Sequence, residues 1–184
     1  MGKIVFIPLF GALFLLASCT DQEKSSCDVM LEVEWTGTTQ IVYNIAAGAP
    51  PTVSTFSIYN KLKDPNAVAG SLDDVQTTHY HVKWTRADGG TLNPQAFDQV
   101  MTVRIPTGAS ASVTNLPLML ISQLSEMPLI QLLPENGGVD AETGKNMIVC
   151  SAELQFFGHT MNGCDVSSEK FYLYYTFYYA PVGR

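Results

Sequence analysis

Asp28-Val-Met-Leu-Glu-Val-Glu-Trp35 sets Val29, Leu31, Val33 and Trp35 in alternation with Asp28, Met30, Glu32 and Glu34. A period of two belongs to a strand with one face in a core, because successive side chains project to opposite sides of the backbone. Strand-like runs recur at Gln40–Ile45, Val53–Asn60, His79–Arg86, Val100–Ile105, Ser112–Ile121, Met147–Phe157 and Lys170–Tyr179, about eight strands in all. Turn-forming groups separate them: Ala-Gly-Ala-Pro-Pro at 47–51, Lys-Asp-Pro-Asn at 63–66, Ala-Asp-Gly-Gly at 87–90 and Asn-Gly-Gly at 136–138. No window of ten or more residues carries a clean 3.6 period, which argues against strands interleaved with long helices and leaves room only for short helical turns near Leu116–Leu133. The expected fold is all-β, an antiparallel two-sheet sandwich occupying residues 27–184.

Composition agrees. Of 184 residues, 46% are hydrophobic and 15% charged, and the wealth of Thr, Val, Tyr and Phe suits half-buried pleated surfaces. The formal net charge is −7, so the chain repels a nucleic-acid polyanion rather than gripping it.

The N-terminus is organised differently. Lys3, an apolar run from Ile4 to Leu16 and then small residues up to Cys19 follow the charge, apolar, small order of a secretory leader over 1–18. The run is too short to span a bilayer as a helix, which takes about 20 residues. Leu16-Ala17-Ser18-Cys19 resembles the lipobox of bacterial lipoproteins. That resemblance implies a lipidated Cys19 as the first residue of the mature protein, whose acyl chains would anchor it stably in a membrane. Thr20 stands where lipoproteins kept in the inner membrane usually carry Asp, so the resemblance leans towards the outer membrane of a bacterial envelope, on its periplasmic or surface face. Residues 19–26 would then be anchor and tether, polar and without an apolar period.

Candidate sites must be weighed against structural uses of the same residues. Gly138 to Lys145 has five residues between Gly138 and Gly144 where a phosphate loop has four, and Asn146 where Ser or Thr would hold magnesium; a strand-joining loop accounts for it better. His79 and His81 project from one face of a strand about 6–7 Å apart, a spacing from which two imidazoles could share a metal if a third ligand arrived. None stands nearby in sequence, so a solvated pair is the better reading. Cys150 shares parity with Ile148, Ala152, Leu154 and Phe156 and reads as a small core residue, which separates it from any Cys–His pairing with His159. Asp64, Asp73 and Asp74 share one connection but match no calcium-loop spacing. No Gly-x-Ser-x-Gly, His-Glu-x-x-His or Cys-x-x-Cys occurs, and no residue set calls for a cofactor. In the last strand Phe171, Leu173, Tyr175, Phe177 and Tyr179 share one face, while Tyr172, Tyr174 and Tyr178 share the other. The second set is either a ladder of cross-strand pairs or a binding face.

Tyr80-His-Val-Lys-Trp-Thr-Arg-Ala-Asp-Gly-Gly90, Met-Pro-Leu-Ile-Gln-Leu132 and Leu-Gln-Phe-Phe-Gly-His-Thr-Met-Asn-Gly163 together look like a group of uncharacterised secreted bacterial proteins that are taken to be immunoglobulin-like sandwiches. The resemblance implies the fold over roughly 28–180 and brings no activity with it. The resulting expectation is a non-catalytic envelope or surface lipoprotein module that binds a protein partner or supports an assembly. A carbohydrate- or small-ligand-binding sandwich using the outer Tyr residues is the second reading, and a hydrolase of unrecognised site the third.

In an immunoglobulin-like sandwich the first strand starts at the same pole as the loop joining the last two strands, and those places hold Cys27 and Cys164. With Cys19 lipidated and Cys150 in the core, Cys27–Cys164 is the expected disulfide in a compartment that permits oxidation. It would close a loop worth about 4–5 kcal/mol on chain-entropy grounds. Non-reducing peptide mapping of the mature protein should yield a Cys27–Cys164 peptide and a free Cys150 thiol, whereas any bridged peptide containing Cys150 would overturn the pairing.

Overall fold

The computed structural model describes residues 27–181, so the leader, Cys19 and the tether lie outside the described residues, as do the last three residues of the chain. Ten strands follow one another: β1 (Val29–Glu34), β2 (Gln40–Asn44), β3 (Thr52–Leu62), β4 (Val75–Arg86), β5 (Phe97–Val100), β6 (Arg104–Ile105), β7 (Ser110–Pro117), β8 (Met147–Thr160), β9 (Asp165–Ser167) and β10 (Phe171–Tyr178). They form two sheets, ordered β1-β3-β7 and β2-β10-β8-β4-β5, with β6 on β4 and β9 on β8. That order corresponds to the A-B-E and G-F-C-C′ order of an immunoglobulin-type sandwich. The expected all-β sandwich is therefore the fold observed.

Three local departures have physical causes. The run expected over 100–105 is broken, because the Thr77 hydroxyl donates to Met101 O at 2.9 Å and accepts from Val103 N at 2.8 Å, so the chain wraps one side chain between β5 and β6. β9 is only three residues long, too short for a periodicity to announce it. One ladder, β2 on β10, is parallel. The chain changes sheets between β1 and β2 at Trp35–Thr39 while still running away from the Cys27 pole, and β10 leaves from that same pole. Gly37 permits the crossing, since a Cβ there would run into the Trp35 indole. Between β7 and β8 the chain makes three short 3-10 turns, Ile121–Ser125, Leu129–Leu132 and Pro134–Asn136, where short helical turns were expected.

The core lies between the sheets, and the inward parity of each strand fills it. Tyr80, Val82 and Trp84 of β4, Ile148 to Phe156 of β8 and Leu173, Tyr175 and Phe177 of β10 are buried at alternate positions. Trp84 meets Tyr175 and Phe177 edge-on, with ring centroids 5.4 and 5.5 Å apart, a geometry aromatic quadrupoles favour. Phe56 of β3 reaches across to Phe156 of β8 at 5.1 Å. These two strands occupy the B and F positions that antibody domains bridge with a disulfide next to a Trp on strand C; here an aromatic contact stands in that place. The polar tips of the core aromatics hold the start of the β7–β8 crossing, Tyr80 OH donating to Pro117 O at 2.7 Å and Trp84 Nε1 to Leu118 O at 3.2 Å.

Trp84 should therefore carry both packing and anchorage. Trp84→Ala is expected to cost about 3–5 kcal/mol and Trp84→Phe distinctly less, read as shifts in the urea midpoint. Equal losses in the two variants would mean that the indole N–H, rather than the ring volume, dominates.

Candidate functional site

The strand registers lay out the outer face of the seven-stranded sheet in rows. Tyr174 of β10 stands between Gln40 of β2 and Ser151 of β8, with Thr85 of β4 beyond. One row along, Tyr172 adjoins Glu153 and then Lys83; in the other direction Thr176 lies between Val42 and Val149, and Tyr178 between Asn44 and Met147. Tyr172 and Tyr174 are 45% and 46% exposed, while Tyr178 is half-buried. The outward set named from sequence is thus brought to one face, opposite to the buried Leu173, Tyr175 and Phe177. Tyr172 OH donates to Glu153 Oε2 at 3.0 Å, and Lys170 Nζ pairs with Glu153 Oε1 at 2.9 Å. The Lys170 hydrogen bond, helped by that of Tyr172, holds the Glu153 carboxyl below the usual range. Glu153 is thereby paired within the protein, and the patch offers outward Tyr172, Tyr174 and uncharged polar side chains beside exposed Lys83.

The other candidates resolve into structural roles. His79 and His81 share the outer face, but His79 stacks on Phe157 with centroids 4.7 Å apart and its Nδ1 meets Thr78 Oγ1, while His81 Nδ1 meets Asp98 Oδ1 at 2.9 Å. Asp64 receives the Asn66 N–H and Asp73 the Gly70 N–H. Asp74 receives Arg104 and the Thr107 N–H, with the backbone hydrogen bond first among the causes that lower its pKa. Among the described residues no group of three His, Cys, Asp or Glu side chains is placed to hold a metal ion. Cys150 is fully buried, and burial pushes its thiol up to about 12. His159 lies nine residues further along β8 on the opposite parity, about 30 Å away, so the two do not form a pair. The loop at 138–145 closes on itself, Asp140 N donating to Lys145 O and Gly144 N to Asp140 O, which uses amides that a phosphate would need.

One cluster was not read from the sequence. Arg86 ends β4 on the inward parity of Tyr80, Val82 and Trp84, and its side chain is 1% exposed. Nε and Nη2 donate to Asp88 at 2.7 and 2.9 Å, Nη1 and Nη2 to Asp140 at 3.3 and 2.9 Å, and Nη1 also to Leu92 O at 3.5 Å. Asp88 further accepts from Val149 N and Gly90 N, and Asp140 from Thr143 N and Oγ1. Gly90 lies against the guanidinium so closely that a Cβ would collide with it. Partly exposed Glu142 caps the cluster, 3.6 Å from Arg86 Nη1, and takes the N–H groups of Thr91 and Leu92. The Arg86 hydrogen bonds, opposed by burial and helped by Thr143, lower Asp140 to about 2. For Asp88, burial works the other way, yet Arg86 and two backbone amides outweigh it and the net direction is down. The signal in the sequence was parity: an arginine continuing a core-facing series must find carboxylates. Its partners being internal, this cluster welds loops rather than presenting a reaction centre.

At the opposite pole Cys27 and Cys164 stand with Cα atoms 5.8 Å apart and sulfurs within bonding distance, so the structure accommodates the expected disulfide. Around them Asp28, Asp73, Thr160 and Asn162 line a polar depression of about 420 Å³. No protein-family model, no curated protein and no solved structure matches this chain.

Removing Arg86 should leave two carboxylates buried without their cation, so Arg86→Met is expected to cost about 3–5 kcal/mol in urea unfolding. Because the folded carboxylates titrate below their unfolded values, their contribution is complete above the ordinary aspartate value of 3.8 and is lost as pH falls through about 2 for Asp140. The wild type should lose stability over that window and Arg86→Met should show much less of this loss; parallel acid profiles would contradict the assignment.

Proposed function

We propose that this chain is a non-catalytic lipoprotein module of a bacterial envelope, held in the outer membrane by acyl chains on Cys19, with Thr20 as the residue that favours that membrane, and that it retains a protein partner on the outer Tyr face. The observation that carries the reading is the exposure of Tyr172 and Tyr174 on one sheet face, while the Arg86–Asp88–Asp140 cluster is turned to internal use. Tyr is well suited to such a surface, since it brings large contact area and a hydrogen-bonding tip with few rotatable bonds. The uncharged polar neighbours Gln40, Ser151 and Thr85 favour carbohydrate as a second reading, because a sugar offers both apolar ring faces and hydroxyls.

Retention of partners from envelope membranes by immobilised protein tests the proposal. Tyr174→Ala and Tyr172→Ala are expected to weaken retention with little change in melting temperature, and retention should survive competition by a panel of neutral glycans. Loss of stability with unchanged retention would instead make the tyrosines a sheet-stabilising ladder, and displacement by a glycan would select the carbohydrate reading. In the same strains Cys19→Ser should abolish acyl labelling and release the protein from membranes.

A further inference from the structure

The pole that receives the tether bears exposed apolar side chains: Val68 is 93% exposed, Leu72 62% and Met161 40%. Backbone hydrogen bonds from Met161 N to Asp74 O and from Asn162 N to Leu72 O set the 63–74 connection against the turn after β8. Cys27, where the described chain begins, lines the same depression as Asp73 and Asn162. The route towards Cys19 therefore leaves from beside this apolar patch.

Length limits where that patch can be. Residues 20–26 separate Cys19 from Cys27, a connection that reaches about 25 Å when extended and about 15 Å as a flexible coil. β8 alone, with 14 residues, spans about 46 Å. On so short a tether a standing domain keeps the far pole, with exposed Leu120 and Ile121, away from the bilayer and brings Val68 and Leu72 to it. Three side chains alone bind a membrane weakly, but tethering supplies the proximity that makes a weak contact persistent. At this pole exposed Asp28, Asp64 and Asp165 and half-buried Asp73 outnumber exposed Lys63, which disfavours anionic lipid and fits a zwitterionic surface.

We propose that the Cys27 pole rests on the bilayer, with Val68, Leu72 and Met161 seated at the headgroup boundary of zwitterionic lipid. This rests on the lipid-anchor reading above. It makes the outer Tyr face a side wall of the standing domain, open to partners approaching along the membrane.

The test uses the full chain, expressed with its leader in a bacterial host, extracted and reconstituted in vesicles of phosphatidylcholine and phosphatidylethanolamine. Leu72→Cys and, separately, Val42→Cys on the exposed outer face of β2 are labelled with nitrobenzoxadiazole; buried Cys150 is a poor competitor for the label. The expected result is blue-shifted emission quenched by nitroxide lipid at position 72, water-like emission at position 42, and a weaker signal at 72 when phosphatidylglycerol is added. Water-like emission at 72 in protein that cosediments with the vesicles would overturn the docking and leave the anchor standing. Quenching at 42 in place of 72 would mean that the domain lies on its side and would equally overturn it. Protein that carries no acyl chain and does not cosediment would sink the anchor reading, and this proposal with it.

Discussion

A guanidinium taken out of water must have its five donors and its charge satisfied by protein, and Arg86 meets that demand with Asp88, Asp140 and the Leu92 carbonyl. The consequence is positional. Asp88 sits two residues beyond β4 and Asp140 ends the long crossing that precedes β8, so one side chain ties the β4–β5 loop to a segment 54 residues away. A buried ion pair of this kind adds little net stability over an apolar substitute, yet breaking it is costly. Its value lies in specifying where the loops go.

That constraint organises the pole remote from Cys27. The crossing from β7 to β8 has no strand of its own and is pinned at its start by Tyr80 and Trp84, midway where Gln123 Nε2 donates to Gln95 O and Gln131 Oε1 accepts from Ala141 N, and at its end by Asp140. At the other pole Asp74 does a comparable job, gathering Arg104 and Thr107, while Cys27 and Cys164 bring the first residue of β1's lead-in to the turn after β8. With both ends fastened internally, the outer face of the seven-stranded sheet lies between two pinned poles.

Period-two alternation made most of this legible in the sequence, because it reports which side of a strand faces apolar surroundings. It located Val29 and Leu31, Cys150 and the two faces of β10 correctly. It could not show that Thr77 interrupts the run at 100–105 with its hydroxyl, nor that three residues at 165–167 pair with β8, because these depend on contacts between distant parts of the chain. Arg86 was legible in principle, because its place in the series Tyr80, Val82, Trp84 puts it inward. The identity of Asp140 as its partner was not legible, since no local pattern links positions 54 residues apart. For function the sequence offered residue types, and the structure put Arg86, Asp88 and Asp140 to internal work while leaving Tyr172 and Tyr174 outward.

Hydrogen–deuterium exchange followed by mass spectrometry in Asp140→Asn and wild type tests the weld most directly. If Arg86 joins the two loops, weakening one arm should speed exchange both at 140–145 and at 87–92, with β1 and β3 unchanged. Faster exchange confined to 140–145 would contradict the account, for it would mean that each loop holds its shape without the other.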